Sequence, residues 1–151
     1  MNKTNIHGTN DKRKVNPSWF TSKTWMKVLS NKIKSKDQDI YHVHFEKGSR
    51  TKLHLHDGNQ VLIATKGTGS LEMFRKYGTS KKNFKIKKTQ KIILNEGDIV
   101  HIPANTLHTH GSIDKKKTFS HIAINILPRK NALYKTIWYE SDFKSKVSEI
   151  I

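Results

Sequence analysis

Residues 48–67, GSRTKLHLHDGNQVLIATKG, place two histidines one residue apart, His54 and His56, inside a short alternating run. Successive side chains of a strand point to opposite faces, so both imidazoles project to one side while Leu53 and Leu55 take the other. Two imidazoles on one face can share a cation. Gln60 follows four residues after His56 and offers a neutral amide oxygen. A second stretch, residues 97–112, GDIVHIPANTLHTHGS, brings in His108 after Pro103. His108 and His110 share one strand parity, as do His121, Ala123 and Asn125, so one polar cluster faces the ligands if His108 is one of them. By itself an H-x-H is as often a structural pair on a strand surface.

Around these stretches the period stays at two. Tyr41, Val43 and Phe45 alternate with His42, His44 and Glu46, which turns the latter two histidines outward if the apolar set faces in. Similar runs at residues 53–56, 60–65, 69–75, 91–94, 99–102, 119–127 and 134–139 are separated by Gly, Asn and Pro. Short strands so punctuated, with no βαβ alternation, predict an all-β sandwich or barrel. Residues 141–151 are expected to form a short C-terminal helix. Residues 1–16 read as a flexible basic arm, and the aromatic segment that follows, PSWFTSKTWMKVL, as its tie to the body.

The 151 residues suit one domain, spanning 17–151 beyond the arm. With no cysteine, the chain excludes disulfides, thiolate metal sites and a cysteine nucleophile. No apolar run approaches the ~20 residues that span a bilayer, and the first residues lack a secretory apolar core, so a cytoplasmic protein with no membrane partner is expected. Lys+Arg number 29 against 12 Asp+Glu, a net charge of +17. Seven of the lysines lie in residues 76–91, where Tyr77 and Phe84 are the only aromatics and arginine is absent. That segment reads as a solvated hairpin, and nucleic acid is not expected as a partner despite the charge.

The glycines and the proline complete a pattern. The spacings of Gly48, His54, His56, Gln60 and Gly67, and of Gly97, Pro103, Asn105, His108 and Ser112, all match the two-motif signature of the cupin family. The chain therefore resembles a cupin, which implies a jelly-roll β-barrel. Three identities depart: Gln60 stands for the acidic ligand, Asn105 for a glycine and Ser112 for an asparagine. The phrases NPSWFTSKTW and SHIAINI further resemble the small manganese-binding cupins with hydroxynitrile lyase activity, which share a three-His-plus-Gln set. By position the resemblance implies metal ligands His54, His56, Gln60 and His108, with Mn(II) bound, or Fe(II), Ni or Zn. It also implies that His110, His121 and Asn125 line the catalytic pocket, with His110 or His121 suited to act as general base at neutral pH. An amide in place of a carboxylate leaves the 2+ charge uncompensated, which strengthens the Lewis acid and attracts anions. The expected activity is a metal-dependent carbon–carbon lyase acting on a small hydroxylated or carbonyl substrate. Alternatives are an Fe(II) dioxygenase, a non-catalytic ligand-binding cupin or a cupin that has lost its metal. A homodimer is expected, with Trp19, Phe20 and Trp25 as a segment to pack between subunits.

Overall fold

A computed structural model describes residues 1–8, 12–13, 15–129 and 132–150. Its strands are β1 (Lys12–Arg13), β2 (Thr24–Val28), β3 (Gln38–Phe45), β4 (Leu53–His56), β5 (Gln60–Tyr77), β6 (Asn83–Asn95), β7 (Ile99–Ile102), β8 (Leu107–Ser112), β9 (Phe119–Ile126), β10 (Thr136–Ser141) and β11 (Lys146–Glu149). The expected all-β jelly-roll architecture is present.

Strand β5 organises the molecule. Its first half pairs with β9 and β7, its second half with β6 and β8, and the register shifts between Ala64 and Lys66. One sheet thus runs β2–β3–β9–β5–β7. The other passes from β5 through β6, β11, β10, β4 and β8 and returns to β5, closing on itself. Closure removes the exposed strand edges that invite aggregation.

Two apolar cores result. One gathers Phe20, Val43, Phe45, Leu62, Ala64, Leu71, Leu94, Ile102, Phe119 and Ala123 between the sheets. The other packs Leu53, Phe74, Phe84, Ile86, Leu107, Tyr139 and Val147 within the closed circuit. Leu53 sits in this second core and Leu55 packs against it, so β4 is buried on both faces and turns its histidines to the other side.

One expectation changes. The C-terminal segment is not a helix: β10 and β11 form a hairpin through Tyr139↔Glu149 and Ser141↔Val147, and Val147 pairs with Phe84 of β6. The Asp142 carboxylate closes the turn by accepting the backbone N–H groups of Lys144, Ser145 and Lys146 at 2.9, 2.8 and 3.1 Å. A partner strand and a place in the core for Val147 outweigh weak local helix propensity; Ile151 lies outside the described residues. The lysine segment is paired strand from Thr68↔Asn95 to Tyr77↔Lys85, with Phe84 and Ile86 buried on one face. The arm is docked at Lys12–Arg13, which pairs with Lys27 and Met26, and Lys27 Nζ donates to the carbonyls of Ile6 and Gly8; residues 9–11 and 14 of the arm lie outside the described residues.

The crossing of β5 between sheets fixes Gly67. Its φ of 75° is left-handed, and a Cβ there would lie 2.2 Å from the Thr118 carbonyl oxygen. Gly67→Ala is expected to cost roughly 2–4 kcal/mol from backbone strain and overpacking. Thermal melts should show it as a Tm several degrees lower; an unchanged Tm would contradict this crossing geometry.

Candidate metal centre

Both sheets deliver polar side chains to one interior. Strand β4 contributes His54 and His56, and its neighbour β10 places Trp138 opposite His54 and Thr136 opposite His56. On its other edge His54 pairs with His108 of β8. Across the interior, the inward rows of the facing sheet read Gln60–Asn125–Asp39, Leu62–Ala123–Tyr41 and Ala64–His121–Val43 over β5, β9 and β3.

The imidazoles cluster tightly. Ring centroids of His54 stand 4.8 Å from His56, 4.2 Å from His108 and 5.5 Å from His110, and His110 stands 4.8 Å from His121. His54, His108 and His110 each offer a ring nitrogen within 4.8 Å of the others, an arrangement that fits a metal ion. This triad includes His110, to which the family resemblance assigns a place in the catalytic pocket. The cause is the period of two: β8 presents His108 and His110 on the same face.

Hydrogen bonds set which atoms are available. His54 Nδ1 donates to the Lys52 carbonyl at 2.9 Å and His108 Nδ1 to the Thr106 carbonyl at 2.7 Å. A carbonyl can only accept, so in the neutral rings the proton resides on Nδ1 and Nε2 carries a lone pair. His56 Nδ1 bonds Thr136 Oγ1 at 2.7 Å, and Gln60 Nε2 donates to Asn125 Oδ1 at 2.7 Å. His121 Nε2 and His110 Nδ1 share a hydrogen bond of 3.0 Å. What remains is telling: His56 Nε2, Gln60 Oε1, His108 Nε2 and His121 Nδ1 are buried without a partner. A buried polar atom left unsatisfied costs about 1–3 kcal/mol, so several together need an explanation. A divalent cation satisfies the acceptors among them, and imidazole nitrogen with an amide oxygen is a donor set such an ion takes.

Electrostatics agree. Burial lowers every imidazole of the group: His56 and His121 to about 3, His108 to about 4, and His54 and His110 well below the ordinary value. After burial, neighbouring imidazoles press His54, His56 and His110 down further. These rings are neutral at neutral pH, the form a metal requires. The same burial weakens His110 and His121 as bases in the free protein.

A cavity of about 520 Å³ opens beside the cluster, lined by His54, His56, Gln60, His110, His121 and Asn125 among others. Its walls are aromatic. Trp138 stacks on His54 at 4.4 Å and on Trp19 at 5.0 Å, and Tyr134 lies 4.8 Å from the ring of His56. Within the chain, Phe20 lies in the core and Trp19 stacks on Trp138. Thr136, Trp138, Tyr134 and Asp39 are site residues that sequence reading missed. Alternation in TIWY announced a strand, but only its pairing with β4 shows which face looks inward. His42 and His44 do turn away, His44 Nδ1 meeting Ser120 Oγ at 2.6 Å.

The family model described as Cupin matches residues 9–147. Among solved structures, a cupin-like protein from Thermotoga maritima superposes with a TM-score of 0.65 at 30% identity, covering 88% of each chain. A cupin superfamily protein from Desulfitobacterium hafniense gives 0.52 at 18% identity over 70% of this chain and 78% of that one. A vicilin from Corylus avellana gives 0.60 at 18%, over 78% of this chain and 33% of the vicilin. The last two are likenesses of fold alone. No curated protein matches the sequence.

Partnerless acceptors predict stabilisation by divalent ions. Mn(II) at a hundredfold excess over its Kd should stabilise the fold by about 2.7 kcal/mol, raising Tm, with reversal by a chelator. A melt indifferent to Mn(II), Fe(II), Ni(II) and Zn(II) would refute the metal reading.

Proposed function

Because the chain belongs to the cupin family, we propose that it is a metal-dependent carbon–carbon lyase that releases cyanide from a small hydroxynitrile. The observation that carries this reading is the set of buried, partnerless acceptors on His56, Gln60 and His108 beside a cavity walled by aromatic and aliphatic side chains. His54, His56 and His108 through Nε2, and Gln60 through Oε1, would hold the ion, Mn(II) on the resemblance of the donor set. Bound there, a divalent cation supplies Lewis acidity at a substrate oxygen.

The chain's own residues do the rest. Lys52, Thr106 and Thr136 fix the three imidazoles through Nδ1. Asn125 fixes the Gln60 amide so that its oxygen, not its nitrogen, is left to the ion, and retains an NH₂ group to donate into the cavity. Val43, Phe45, Met26 and Ala123 exclude water from the reacting atoms. His121 is the proton acceptor: it lines the cavity and hydrogen-bonds His110, which can share the charge. Its lowered basicity means that it takes the hydroxyl proton only as negative charge develops nearby. As that proton leaves, the C–O bond becomes C=O and the C–C electron pair departs with cyanide, which then recovers the proton as HCN.

Mandelonitrile tests the proposal. Wild-type protein loaded with Mn(II) should release cyanide, and His108→Ala should abolish both metal retention and release. His121→Ala should retain metal and lose roughly 10²–10⁴-fold in rate. Gln60→Glu should hold metal more firmly and react more slowly, because a carboxylate offsets the charge that makes the centre a strong Lewis acid. Release that survives removal of metal would overturn the mechanism. Binding of mandelonitrile without release would leave a ligand-holding cupin, and oxygen uptake with a catechol an oxygenase.

A further inference from the structure

Among the described residues that line the cavity, Asp39 is the one acidic side chain and none is a lysine or an arginine. It shares the inward face of β3 with Tyr41, Val43 and Phe45, at the end of the row in which Asn125 and Gln60 follow on the adjacent strands. Its carboxylate makes no hydrogen bond or ion pair with any described residue. Other carboxylates of the chain are engaged: Glu72 with Lys88 at 3.1 Å, Glu140 with Lys52 at 2.7 Å, Asp57 with the Lys135 N–H at 2.8 Å, and Asp142 in its turn. In a chain of net charge +17, this half-buried carboxylate has no cation beside it among the described residues, which leaves an open electrostatic position inside an aromatic-walled cavity. Its field is felt across the cavity: burial first, then the carboxylates of Asp57 and Asp39, hold the Tyr134 phenol above its usual range.

Resting on the reading of this cavity as a substrate site, we infer that its natural ligand carries an ammonium group held at Asp39, with its oxygen at the His54–His56–Gln60 end. Asp39 and Gln60 stand two strands apart, about 9–10 Å between backbones, which sets oxygen and nitrogen a few bonds from each other. Trp19, which lines the cavity with Asp39, is an aromatic side chain of the kind that favours a cation beside a carboxylate. The substrate class is therefore small hydroxynitriles that also carry an amine, whose hydroxyl and ammonium groups an amino alcohol reproduces. A carboxylate at that end of a ligand would be repelled.

The test uses two alcohols that differ by one amine, 1-phenylethanol and 2-amino-1-phenylethanol, titrated against the full chain at low salt. Quenching of tryptophan fluorescence reports binding, since Trp19 and Trp138 line the cavity. The amino alcohol should bind about tenfold to a hundredfold more tightly, the range of a charge-assisted hydrogen bond. Asp39→Asn should remove that preference and Asp39→Glu restore it, while the neutral alcohol binds all three proteins alike. Equal affinity for the two alcohols in the wild-type protein, which needs no variant to fold, overturns the inference and leaves the lyase proposal standing. A preference that survives Asp39→Asn also overturns it. If neither alcohol binds with or without Mn(II), both the inference and the substrate-site reading fall. Absence of cyanide release alongside a preference dependent on Asp39 would sink only the lyase.

Discussion

Strand β4 is only four residues long and is buried on both faces, and the rest of the site follows from that constraint. Leu53 on one side belongs to a closed apolar core, so the strand cannot rotate or slip by one residue without expelling it. His54 and His56 are therefore held inside the barrel at a cost in desolvation that their own packing does not return. Three backbone or side-chain oxygens accept or share their Nδ1 atoms and those of His108, and the opposite nitrogens face the interior. A fold that builds such a cluster within its core maintains neutral imidazoles by burial and presents a donor set that fits a divalent cation.

Charge is distributed in opposition. The lysines lie on solvated faces of the β5–β6 hairpin, where Lys88 and Lys91 meet Glu72. Among the described residues, the cavity lining holds no lysine or arginine and one carboxylate. The two ends of the cavity thus differ in polarity, a donor set for a cation at one end and a fixed negative charge towards the other. A ligand that crossed it would meet both ends.

Much of this was legible in the chain. The spacing of His54, His56, Gln60 and His108 depends only on strand parity and turn length, properties that adjacent residues encode. The same holds for His110, His121 and Asn125, whose parity placed them on inward faces that the structure shares. The terminal segment was not legible. Nothing within residues 141–150 reveals that Phe84, some sixty residues earlier, supplies a pairing partner and a core position for Val147.

Sequence alone determined the strand periodicity, the family and the residue types available to a cation, because each is written at separations of a few residues. Tertiary structure decided which imidazole nitrogens lack partners, that Trp138 and Thr136 look inward, that His110 approaches His54 and His108 as closely as a ligand would, and that Asp39 shares the cavity. Those facts depend on which strands lie side by side and on which bonds their backbones consume. Such neighbours are brought together by closure of the sheet and by the two cores, across separations that no local pattern records.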